Sequence, residues 1–269
     1  MIGAIIGDIV GSRFEFHNHK SKQFTLFTTD NYFSDDTVMT LAVAKALMET
    51  NKKEVIGEAY YQLLEKLTIE YIQALGRKYP YAGYGGMFIR WLLSSNPKPY
   101  NSFGNGSAMR ISPVGFSAKS LEEADKLTEV ITKITHNHPE GIKGAKATVT
   151  CIYLAKHGYS KEDIRKVIND NFYKLNFTLD EIRDSYQFNE TCQGSVPQAI
   201  IAFLEGDSFE DAIRNAISIG GDSDTIACIT GAISEAYFGV PEDIKNKALS
   251  YLDKELLNIY QEWVEFINE

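Results

Sequence analysis

Apolar residues recur along this chain at helical spacing, and the strict alternation of a half-buried strand is almost absent. Residues 1–12 (MIGAIIGDIVGS) set Gly3, Gly7 and Gly11 four apart on one helical face. Three glycines weaken a helix, so that face is expected against another helix that comes unusually close. If the helix continues, Asp8 and Glu15, seven apart, share a face. Residues 17–33 show no period and read as a loop. From Asp36 to Thr50 the chain is apolar nearly all round, the pattern of a helix deep in a helical core. Residues 53–78 read as one helix or a pair, ended by Tyr79-Pro80. A Gly/Tyr loop (81–86), a short amphipathic stretch to Leu93 and a Ser/Asn/Pro/Gly-rich extended loop over 94–107 follow.

Helix starts punctuate the second half. Ser120-x-x-Glu123, Ser160-x-x-Asp163, Thr178-x-x-Glu181 and Ser208-x-x-Asp211 each resemble a capping box ahead of an apolar periodic segment. A helix over 225–238 carries Ala227, Gly231, Ala232 and Ala236, small enough to let a neighbour approach. No repeat, low-complexity segment or long linker interrupts the pattern. The expectation is one all-α domain over 1–269.

Composition narrows the function classes. The chain has 269 residues, and its 27 basic against 36 acidic side chains give a net charge of −9. With no basic run, it does not read as a nucleic-acid or membrane-surface binder. No segment has the length of a membrane span, and Asp8 and Arg13 interrupt the N-terminal apolar stretch, unlike a signal peptide. Cys151, Cys192 and Cys228 are odd in number and widely spaced, which suits buried free thiols in a reducing cytoplasm, the expected location.

Two acidic turns carry the chemistry: Ser34-Asp35-Asp36-Thr37 and Gly220-Gly221-Asp222-Ser223-Asp224-Thr225. Each alone reads as a helix cap. Two with the same order, an acidic and hydroxyl cluster ending in Thr before a small-residue helix, point to a one- or two-metal site assembled across the chain. Oxygen-only donors suit Mg²⁺, Mn²⁺ or Ca²⁺. Ser102-Phe103-Gly104-Asn105-Gly106-Ser107 reads on spacing alone as ordinary turn chemistry, with a phosphate-cradling nest as the alternative. The pair His17/His19 reads as surface; His136 and His138, beside a Pro-Glu helix start, read as surface or as a ligand-binding loop, and zinc is disfavoured at both. Asp8 and Glu15 read as surface charges or, on a centrally packed helix, as a general base.

In order, Gly7-Asp8-x-x-Gly11-x-x-x-Glu15-Phe16, Ser34-Asp35-Asp36-Thr37, Gly104-Asn105-Gly106-Ser107-Ala108-Met109-Arg110, Thr135-His136 and Gly221-Asp222-Ser223-Asp224-Thr225 resemble the ADP-ribosylglycohydrolase family. The resemblance runs from Met1 to about Phe238. It implies a single compact orthogonal multi-helix domain, all-α, with two divalent cations, Mg²⁺ or Mn²⁺. The implied ligands are Ser34, Asp35, Asp36, Asp222, Asp224 and Thr225. The implied catalytic acids are Glu15, Asp35 and Asp36. Ser102, Phe103, Gly104, Asn105, Gly106, Ser107, Met109 and His136 are implied to bind substrate. Expected partners are an ADP-ribosylated protein or an ADP-ribose-containing small molecule, without a stable nucleic-acid complex or a membrane. The loops at Tyr84-Gly85-Gly86 and 136–141 resemble a bacterial subgroup. Hydrolysis of another ribosyl compound and a non-enzymatic relative are the alternatives.

Overall fold

The glycine-faced start of the chain forms helix α1 (Ile2–Gly11), buried at every position and continued by a single 3₁₀ turn, Ser12–Phe14. The computed structural model describes residues 1–268. Beyond a loop lie α2 (Asp35–Asn51), α3 (Glu58–Lys78), α4 (Gly86–Leu93), α5 (Gly106–Met109) and α6 (Ser112–Ser117). Then follow α7 (Leu121–Lys133), α8 (Pro139–Lys156), α9 (Lys161–Asn171), α10 (Leu179–Ile182), α11 (Cys192–Glu205) and α12 (Phe209–Ile217). The last three are α13 (Ser223–Phe238), α14 (Glu242–Leu249) and α15 (Lys254–Asn268). Among the described residues there is no strand, only a lone antiparallel bridge between Gly104 and Thr191. The fold is all-α.

The helix expected against the glycine face is α13. A Cβ on Gly3 would lie 2.1 Å from the Gly231 carbonyl oxygen, and one on Gly7 would lie 2.0 Å from that of Ala227. Only hydrogen at these positions lets the two backbones touch. The small residues of α13 supply the other half of the contact, so α1 and α13 form the central pair. α2, apolar on nearly all sides as its sequence indicates, packs against α3 and α15 as well as α1. One continuous core of buried side chains, from Met1 to Trp263, joins these helices.

Several local expectations change. Residues 53–78 contain one helix, which begins only at Glu58, after Gly57 with φ +64°. The 94–107 loop ends early because α5 starts at Gly106. Ser160 and Thr178 make reciprocal capping boxes. Ser120 and Ser208 cap as expected, but Glu123 and Asp211 reach one residue further back, to the N–H groups of Lys119 and Asp207. His17 is exposed, whereas His19 is half-buried with its ring 4.8 Å from Phe14 and 5.4 Å from Phe24, so the two are not a surface pair. All three cysteines are buried and free.

Candidate active site

The first acidic turn starts α2. Ser34 is extended, and its Oγ accepts the Asp36 N–H at 3.3 Å. The stronger cap comes from α1: the Asp8 carboxylate accepts the N–H groups of Ser34 at 2.9 Å and Thr37 at 3.0 Å. Asp8 thus satisfies amides that the helix leaves unpaired and places a negative charge at its positive end. The Asp35 N–H donates to the Ala82 carbonyl at 2.7 Å, fixing the turn against the Gly/Tyr loop.

The second acidic turn starts α13. Gly220 (φ +66°) and Gly221 (φ +78°) hold left-handed backbone that a side chain resists, and the Gly221 N–H donates to Asn18 Oδ1 at 2.8 Å. Asp224 Oδ1 accepts the Thr225 N–H at 2.9 Å. The two turns meet where Thr225 Oγ1 donates to Asp36 Oδ2 at 3.1 Å, across 189 positions of sequence. Carboxylate oxygens of Asp8, Asp36 and Asp224 all lie within 4.8 Å of one another, as do those of Glu15, Asp222 and Asp224.

These carboxylates are electrostatically unsettled. Burial, followed by repulsion from Asp224 and Asp8, pushes Asp35 and Asp36 well above the usual carboxylate range. Burial raises Asp8, and burial with repulsion from Asp222 and Asp8 raises Asp224 strongly. Burial takes Asp222 to about 6, and burial with repulsion from Asp224 and Asp8 takes Glu15 to about 8. Among the described residues, no lysine or arginine pairs with any of them. Asp36 Oδ1 is buried with no hydrogen-bond partner among the described residues. Packed charge of one sign is costly, and an all-oxygen set with an open acceptor fits a hard divalent cation.

Beside the cluster opens a cavity of about 290 Å³. Glu15, Asp35, Asp222, Asp224 and Thr225 line it together with Ser102 to Gly106, Met109 and His136. Asn105 ties the glycine turn to the acidic cluster, its Nδ2 donating to Asp222 Oδ2 at 2.6 Å. Three expected residues, Ser34, Asp36 and Ser107, do not line the space. Ser34 is spent on capping α2 and touches Asp36, while the Ser107 hydroxyl is buried and donates to the Gly141 carbonyl at 2.8 Å. The second histidine pair divides its roles: His136 is buried in the cavity wall, whereas His138 Nδ1 caps α8 by accepting the Glu140 N–H.

The sequence model of the ADP-ribosylglycohydrolase family matches residues 1–266. The chain belongs to this family. The human ADP-ribosylhydrolase ARH3 is 26% identical, over 96% of this chain and 90% of its own. The ADP-ribosylarginine hydrolase Tri1 of Pseudomonas putida is 25% identical, over 93% of this chain and 73% of its own. Among solved structures, a chain of an "ADP-ribosylglycohydrolase-related protein complex" superposes with a TM-score of 0.68 at 19% identity, covering 96% of this chain and 94% of that one. Membership of the ADP-ribosylglycohydrolase family supports an ADP-ribosyl hydrolase.

The ligand and catalytic sets that the resemblance implies left out some residues at the site. Asp8 reads as a surface charge or a base, yet it belongs to the cluster. Its place in the Gly7-Asp8-x-x-Gly11 motif was the available signal. Tyr100, Phe188, Glu190 and Thr191 also line the cavity, from loops whose sequences carry no mark of it.

Proposed function

We propose that this chain is a divalent-cation-dependent hydrolase that cleaves the glycosidic bond between ADP-ribose and an acceptor, either a protein side chain or a small molecule. What chiefly supports this is the meeting of Asp8, Asp36 and Asp224, with no cationic side chain paired to them, beside a glycine-rich cavity wall. On this reading residues 1–269 act as one domain, because the site draws on both ends of the chain.

Ser34, Asp35, Asp36, Asp222, Asp224 and Thr225 are the residues proposed to hold two ions, Mg²⁺ or Mn²⁺. Bound there, such ions supply charge stabilisation and a water of lowered pKa. Gly104 and Gly106 carry no side chain, so a phosphate can come close to this turn, although the Gly104 N–H already donates to Ser102 Oγ and the Asn105 N–H to the Glu190 carbonyl. Phe103, 44% exposed at the mouth, offers a ring face to a base. Glycoside cleavage develops positive charge on the sugar while the leaving group takes up a proton. Glu15 and Asp35 are only half-buried and border the cavity, so they are the carboxyl groups able to reach a departing acceptor. Asp36 and Asp224 are buried, and their part is to hold charge rather than to move protons.

The test is release of ADP-ribose from arginine-linked and serine-linked substrates in Mg²⁺ or Mn²⁺, repeated with a chelator. Release that the chelator stops supports the reading, and the faster substrate identifies the acceptor. Cation binding without release from either substrate would move the search to another ribosyl bond. The absence of both cation binding and release would overturn the reading.

A further inference from the structure

Arg110 is a buried cation with no carboxylate partner among the described residues. It follows α5, is 1% exposed, and lies with its guanidinium carbon 5.7 Å from the centre of the Phe88 ring. Its Nη2 donates to Thr135 Oγ1 at 2.7 Å, and its Nε is buried with no partner. Thr135 is fully buried, and its Oγ1 lies 2.7 Å from His136 Nδ1. The direction of these bonds can be worked out. A guanidinium only donates, so Thr135 Oγ1 accepts from Arg110 and keeps one hydrogen of its own. His136 Nδ1 is the acceptor within reach of that hydrogen. If Nδ1 donated instead, the Thr135 hydrogen would be left unpaired in the interior, which is costly.

We infer that Arg110 and Thr135 are positioning residues that hold His136 neutral with its proton on Nε2, so that the ring presents a fixed N–H donor to the cavity. Nε2 is the atom that faces the glycine turn: a Cβ on Gly106 would lie 3.3 Å from it, and one on Gly104 would lie 3.6 Å away. Burial, helped by the nearby Arg110 charge, holds His136 well below the usual histidine range, consistent with a neutral ring. A donor fixed in this way selects an acceptor atom on the ligand, a sugar hydroxyl or phosphate oxygen, and turns away a cation. Arg110 also polarises the Thr135 hydroxyl, which strengthens its bond to the ring. The assignment of the ligand as ADP-ribose rests on the function proposed above; the direction of the relay does not.

The experiment is a ¹⁵N spectrum of the histidine side chains in the full chain, with His136 assigned through His136→Gln. Nδ1 in the unprotonated range and Nε2 in the protonated range are expected. Thr135→Val should mix or reverse the tautomers and weaken calorimetric binding of ADP-ribose about tenfold, the effect of one lost hydrogen bond. Thr135→Ser should restore both. A protonated Nδ1 in the unmutated protein, or a tautomer unmoved in Thr135→Val, would overturn the relay. The spectrum of the free protein decides this whatever the ligand is. The expected tautomer in a chain that binds no ADP-ribose would uphold the relay and remove the functional reading.

Discussion

At the scale of single residues, the site separates groups that hold charge from groups that reach the cavity. Asp224 contributes an oxygen to both carboxylate groupings and is buried. Asp224→Asn removes charge with little change of volume, so it should lose divalent-cation binding and ADP-ribose release together, with the fold retained. Titration calorimetry and turnover on one preparation check this, and full turnover would exclude Asp224 from the mechanism. Glu15 lies at the half-open edge. Glu15→Gln should keep the cations and the melting temperature while release slows by about 10²–10⁴-fold, the usual contribution of a positioned acid or base. Asn105 and Asp222 form a third case: Asn105→Ala should weaken cation binding and ADP-ribose binding together, because its amide ties the glycine turn to Asp222. A change in only one of the two would mean the bridge does not couple them.

Among the helices, α1 and α13 set the position of everything else. Their backbones touch at Gly7 and Ala227, and a Cβ on Gly11 would fall 2.5 Å from the Asp224 Cα. Separating these helices therefore pulls Asp8 and Glu15 away from Asp224. Gly7→Ala replaces a hydrogen with a methyl that meets the Ala227 backbone, which cannot rotate aside. It should destabilise the protein by about 3 kcal/mol in urea unfolding, at the upper end for overpacking, and weaken cation binding as well. Gly86→Ala is the control, since its Cβ meets nothing within 4 Å, and it should leave both unchanged. Equal effects from the two variants would show that the glycine face is not what holds the pair together. The sequence marked this face by the four-residue spacing of its glycines. It could not name the partner, because Gly231 and Ala227 are far along the chain and small residues alone do not specify what they meet.

Across the whole molecule, the proposed cation site is where folding and binding are coupled. The carboxylates come from α1, α2 and α13, and bringing them together costs repulsion that a bound dication relieves. At a cation concentration 100 times its dissociation constant, linkage alone adds about 2.7 kcal/mol of stability. The dependence on pH has a definite sign. Burial and mutual repulsion raise these carboxyl groups in the folded chain, Asp222 to about 6 and Glu15 to about 8. Without cation the folded state therefore holds more protons than the unfolded one. The associated stability is fully present below the ordinary carboxylate range and is lost as pH rises through those raised values. The gap in melting temperature between cation-loaded and chelated protein should widen from about pH 5 to about pH 8. A gap that stays constant or narrows would mean the cluster is not charged and repelling in the folded state.

What this sequence determined by itself is local: the helices, through apolar period and caps, and the two acidic turns, through the residues that begin a helix. The same residue types revealed the glycine turn at 104–106, and the order of the motifs was enough to suggest the family. What only the tertiary structure decided is which of these local pieces share a volume. Asp8 becomes a member of the cluster because α1 lies against α13. His138 caps α8 while His136, two positions earlier, enters the cavity wall. Ser107 turns away from the cavity that its neighbours line. Tyr100, Phe188, Glu190 and Thr191 reach the cavity from loops without any period. Local pattern reports the preferences of neighbouring residues for backbone geometry and burial. The electrostatics of a site depend on distances between residues far apart in sequence, and those distances exist only once the helices have packed.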